Sequence, residues 1–122
     1  MKYGSIGFLS VLAGLGLSAV AAAPPDGVTG EKPFAHTVRP RHLAEECFKL
    51  PAGQTIGYVF ESSAPVDFNI HYHRGQEVLY PVKSDQVAKA EDRFTAPSAE
   101  EFCLMWTNKT LEMVTIRGQL RP

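Results

Sequence analysis

Val66-Asp67-Phe68-Asn69-Ile70-His71-Tyr72 decides the fold. Val66, Phe68, Ile70 and Tyr72 alternate with Asp67, Asn69 and His71, the period of two that sends apolar side chains to one face of a β-strand and polar ones to the other. This pattern predicts Phe68, Ile70 and Tyr72 in the core, with Asn69 and His71 accessible to solvent. Short apolar runs recur on both sides of it, each bounded by turn-forming residues. Upstream, residues 46–50 close at Pro51-Ala52-Gly53, and residues 55–61 place Ile56, Tyr58 and Phe60 on one face. Residues 62–65 read as a turn. Downstream, Arg74-Gly75 turns the chain into a strand over 77–82, which Pro81 confines to an edge or a bulge. Phe94-Thr95 follows, then residues 102–106, apolar on both faces as in a central strand. Asn108-Lys109-Thr110 is the next turn, and residues 111–118 are the last strand. The one helix candidate, residues 98–101, is a single turn. About seven to eight short strands of this kind predict an all-β domain, an antiparallel β-sandwich of jelly-roll type.

The N-terminus predicts export. Met1-Lys2 provides a positive start, residues 6–20 are apolar apart from Gly and Ser, and Ala19-Val20-Ala21-Ala22-Ala23 offers small residues for signal peptidase. Residues 1–22 are therefore expected to be a signal peptide, cut after Ala21 or Ala22 because Pro24 disfavours a later cut. Residues 23–42 are expected to be an extended lead-in holding at most one edge strand, and residues 43–122 the sandwich. The Ala-rich leader resembles those of bacterial periplasmic proteins, so the expected location is periplasmic or extracellular. Lys and Arg number 12 against 13 Asp and Glu, with Lys2 in the leader. That balance gives no electrostatic case for nucleic acid or anionic membranes. No second apolar segment follows the leader, so no membrane span is expected in the mature chain. Two Cys in an exported chain predict one bridge, Cys47 to Cys103. Closing so long a loop is worth about 4 kcal/mol in the chain-entropy model.

Glu46-Cys47-Phe48, the alternating run from Val66, Phe94, and Phe102-Cys103-Leu104-Met105-Trp106-Thr107-Asn108 occur in an order that resembles the GOLD domain. That domain is the lumenal β-sandwich of the emp-type cargo proteins. The resemblance covers residues 43–118 and implies the same Cys47–Cys103 bridge, carried in the family by E-C-F and C-F-x-N elements. Here Leu104 replaces the family's aromatic, and the Asn lies two residues further on. The cargo proteins continue into a coiled coil and a transmembrane helix, whereas this sequence stops at Pro122, so membrane-tethered transport is not expected of it.

Chemistry-bearing residues are few. His71 and His73 lie two apart on one strand, so both imidazoles leave the same face, beside Asp67. Neutral imidazoles so placed chelate copper or zinc, and Asp67, His36 and His42 are the candidates for a third ligand. The competing reading is the solvated face of an antiparallel strand. Met105 and Met113 read as core packing, and Trp106 as core or the rim of a groove. Arg39-Pro40-Arg41-His42 reads as a solvated segment. Asn108-Lys109-Thr110 fits an N-glycosylation acceptor, a pattern without meaning in a bacterial host. Motifs for acyl transfer, phosphate binding or metalloprotease chemistry are missing, and the adjacent pairs Glu45-Glu46 and Glu100-Glu101 send their carboxylates to opposite faces. The expected function is therefore an exported, non-enzymatic binding module for a protein or small ligand, without a required cofactor. The alternative is a periplasmic copper- or zinc-binding protein built on His71, His73 and Asp67.

Overall fold

The computed structural model describes residues 27–122, together with Gly14 and Gly16. The expected signal peptide lies outside the described residues apart from those two glycines. Among the described residues six strands follow in order: β1 (Lys32–Val38), β2 (Leu43–Leu50), β3 (Thr55–Arg74), β4 (Glu77–Thr95), β5 (Glu100–Thr107) and β6 (Val114–Arg121). Every pairing is antiparallel, so the class is all-β as the alternation predicts.

The architecture turns on β3, which is 20 residues long. One edge pairs with β4 along nearly its whole length. The other edge changes partner: Gly57 to Ser62 pair with β6, and Asp67 to His71 pair with β5. One layer is therefore β1, β6, the first half of β3 and the second half of β4, and the second is β2, β5, the second half of β3 and the first half of β4. The bent β3–β4 hairpin belongs to both. Between the layers stand Phe34 of β1, Phe60 and Phe68 of β3, and Trp106 of β5, with Phe34 and Trp106 rings 5.1 Å apart and Phe60 and Trp106 5.5 Å apart. Burying such rings is worth roughly 2–3 kcal/mol each, which is what joins the layers.

Six strands stand where seven to eight are expected, because two predicted turns are not chain breaks. Residues 62–65 stay within β3; they oppose the single residue Ala88 between the pairs Glu61–Lys89 and Val66–Val87. Pro65, which has no N–H to give a ladder, suits this bend. Likewise β4 runs on through residues 83–93, whose charges hide the strand pattern. It pairs only with β3, so it is an edge, and charged side chains there keep a second chain from adding to the sheet. Gly75, with φ 61°, begins the two-residue loop joining the hairpin, as a mirror-image tight turn requires. The predicted helical turn at 98–101 is a bend running into β5.

The sandwich also begins earlier than residue 43. β1 pairs with β6 from Lys32 and delivers Phe34 and Val38 to the core, and Val28 is buried ahead of it. Beneath Phe34, Gly118 has no room for a methyl group, which would meet the Phe34 ring and the Val59 carbonyl. Cys47 and Cys103 are direct cross-strand partners and are disulfide-bonded. Among the described residues, no helix is long and apolar enough to cross a membrane.

Candidate functional site

Register assigns the faces of the second layer. Phe68 opposite Trp106 and Ile70 opposite Leu104 point inward; Asp67 opposite Thr107, Asn69 opposite Met105 and His71 opposite Cys103 point outward. Phe68, Ile70 and Tyr72 are buried, as predicted. The outward residues differ from expectation: Asn69 is 7% exposed and His71 only 4%. An outward side chain is buried when neighbouring strands rise over it, and here β4 does so twice. Asp85 and Gln86 together oppose the single residue Asp67, and Tyr80 with Pro81 oppose the single residue His71. Each is a bulge, which bends a strand and re-aims its side chains.

The first bulge serves Asp67. Gln86, held at φ 54°, brings its backbone N–H and its side-chain amide to Asp67 Oδ1 at 3.0 and 2.9 Å. Lys109 pairs with the other carboxylate oxygen. The Lys109 ammonium, and after it the Gln86 amide, hold the Asp67 carboxyl below the ordinary range. The second bulge sets the Tyr80 ring 5.9 Å from that of His71. His71 Nδ1 lies 2.8 Å from Asn69 Oδ1, and its Nε2 lies 3.4 Å from Glu45 Oε1 on β2. Burial pushes the His71 imidazole below its usual value, His73 adds to this, and Glu45 opposes it.

Between these two clusters runs a groove of about 300 Å³, bordered by Asp67, Tyr80, Lys83, Met105 and Lys109. Tyr80 is 49% exposed, with the Lys83 ammonium 5.7 Å from its ring centre. The arrangement combines an exposed aromatic, a thioether and charges of both signs on one sheet face.

Other sequence-level candidates are placed elsewhere. His36 faces inward beside Trp106 and meets Glu46 at 3.0 Å; His42 Nδ1 lies 2.8 Å from the Pro40 carbonyl. Neither joins His71. Asp67 binds Lys109 and Gln86 four residues away along β3. Met113 is exposed rather than core. Asn108 is fully buried; its amide donates to the carbonyls of Val38, Arg39 and Glu112 at 3.0, 3.2 and 2.7 Å. The N-x-T pattern is thus a structural one, with Thr110 bonded to Asn108 Oδ1. Among the described residues, Glu45, Cys47 and Cys103 are the one set of three His, Cys, Asp or Glu side chains with ligand atoms mutually close, and both sulfurs are in the disulfide. Sequence reasoning missed Glu45, Tyr80 and Gln86, whose parts depend on bulges and on strands far apart in the chain.

No family model matches the chain, and no curated protein matches it. Solved structures do. Aeromonas hydrophila PliG, a periplasmic lysozyme inhibitor of g-type lysozyme, is similar at 12% identity and TM-score 0.56, over 80% of this chain and 92% of that one. Yersinia pseudotuberculosis-derived mitogen is similar at 12% identity and TM-score 0.55, over 77% and 86%. The pre-peptidase C-terminal domain of Bacillus anthracis collagenase is similar at 11% identity and TM-score 0.59, over 82% of this chain and all of that domain. At such identities the likeness is one of fold: a small β-sandwich.

Proposed function

We propose that this protein is an exported, non-enzymatic binding module that engages a protein partner through the outer face of its second layer. The observation that carries the reading is the groove beside Tyr80, where Lys83, Met105 and the Asp67–Lys109 pair are presented around an exposed aromatic ring. Exposed Tyr flanked by charge is the composition of an interface centre and rim. The disulfide is consistent with an oxidising compartment. A β-sandwich of this kind serves as a lysozyme inhibitor in PliG, which supports a protein rather than a small ligand as partner. The GOLD-like order of motifs belongs to the same reading, with its E-C-F and second Cys on the paired strands β2 and β5.

The test is affinity capture from the exported fraction of the source cells, with the immobilised protein compared against Tyr80→Ala/Lys83→Glu. A partner held by the parent and lost by the double variant is the expected result. Equal retention by both proteins, or no retention by either, overturns the assignment of this face.

A further inference from the structure

The His71 neighbourhood carries more than the groove does. Asn69 Oδ1 at 2.8 Å accepts from His71 Nδ1–H, which fixes the tautomer and leaves the lone pair on Nε2. Nε2 faces Glu45 Oε1 at 3.4 Å, longer than the roughly 2.7–2.9 Å of a charge-assisted hydrogen bond. Two ligands held at roughly 2.1 Å with a tetrahedral angle stand about 3.4 Å apart, so this is the spacing of donors sharing one cation. His73 supplies the next imidazole on the same face, its ring centre 5.3 Å from that of His71. It is exposed, and its ring must turn to complete the set, since its nitrogens do not stand mutually close with those of His71 and Glu45.

We propose that His71, His73 and Glu45 form a three-ligand site for a divalent cation of the zinc class, with Asn69 as the positioning residue for His71. Two imidazoles and a carboxylate are a donor set that zinc accepts, with a fourth position left for water or a partner side chain. A carbonyl oxygen on the far nitrogen of a ligating His is the usual outer support, and here Asn69 supplies it. Asp67, the carboxylate nearest in sequence pattern, is held by Lys109 and Gln86 instead. The Cys47 and Cys103 sulfurs lie beside Glu45 but are tied in the disulfide, so neither offers a thiolate.

The experiment is calorimetric titration of Zn(II) into the disulfide-intact protein, without reductant, since freed thiols beside Glu45 would bind zinc themselves. One equivalent is expected to bind with Kd below about 10 µM. Glu45→Gln and His73→Ala, both at exposed positions that leave the core untouched, should each weaken binding at least about tenfold. Asp67→Asn should leave it unchanged. Absence of binding tighter than about 10 µM, binding that Glu45→Gln and His73→Ala leave within about twofold, or binding that Asp67→Asn abolishes each overturns the site. What Glu45→Gln and His73→Ala do to zinc binding leaves the reading of the groove untouched, because the groove is tested through Tyr80 and Lys83.

Discussion

The two halves of β3 follow one rule on their inner side and opposite rules on their outer side. Ile56, Tyr58 and Phe60 in the first half, and Phe68, Ile70 and Tyr72 in the second, are all buried between the layers. Outside, the first half presents Val59 and Glu61 beside Glu91 and Arg121, a ladder of solvated charges in which Arg121 and Glu91 stand 3.6 Å apart. The second half presents Asn69 and His71, polar yet buried and hydrogen-bonded to each other. Solvated charges on an outer face are what an antiparallel sheet produces by default. Buried polar groups cost free energy unless each finds a partner, so the second half needs a built environment and has one. The difference marks where the molecule departs from scaffold.

Four measurements sharpen or break this comparison. The largest effect belongs to the shared inner side: Phe68→Ala should cost about 3–5 kcal/mol in chemical denaturation, a large part of a total of roughly 5–15. If it costs under about 1, the interlayer face has been misassigned. Next comes the outward side of the second half. His71→Ala strands the buried Asn69 carbonyl and should cost about 1–3 kcal/mol.

A pH series isolates the same residue. In the unfolded chain His71 takes its proton near the ordinary value of about 6.5. In the fold, burial and then His73 hold it lower against the pull of Glu45. The unfolded state therefore binds the extra proton first. Stability is complete above about 6.5 and declines as pH falls toward the folded value. Midpoints of urea unfolding between those limits should slope downward with acid, and less steeply in His71→Asn; identical slopes would remove His71 as the cause. The smallest effect is in the first half, where Glu61→Ala should shift stability by no more than about 0.5 kcal/mol. A cost equal to that of His71→Ala would erase the distinction between the halves.

What the sequence discloses follows the same division. The alternation from Val66 to Tyr72 correctly assigns the inner row, because a strand buried on one face must repeat every two residues. Phe102 to Trp106 likewise reads as central, and β5 lies between β2 and β3. The outer row is not legible locally. Whether Asn69 and His71 are wet depends on Tyr80 and Pro81 bulging opposite His71, and on Glu45 arriving from β2. Both are contacts between strands, and neither leaves a period in the chain. The edge strand β4 is hidden for a related reason: with one side unpaired, it tolerates charge at six of the eleven positions from Lys83 to Arg93. Of the metal candidates, the adjacent His71 and His73 are visible from spacing, while Glu45 emerges only from the register of β2 against β5.

One feature of the topology governs timing. β1, the first strand, pairs only with β6, the last, so that Lys32 stands opposite Leu120. A chain synthesised N-terminus first must carry β1 unpartnered until β6 has been made. The first layer can close only after that, and Phe34 finds its place over Gly118 at the same moment. Pairing over such sequence separation is intrinsically slow, since loop closure is opposed by entropy before any contact rewards it. The order of the strands alone thus defers closure of the first layer, while the β3–β4 hairpin and the β2–β5 pair can form without it.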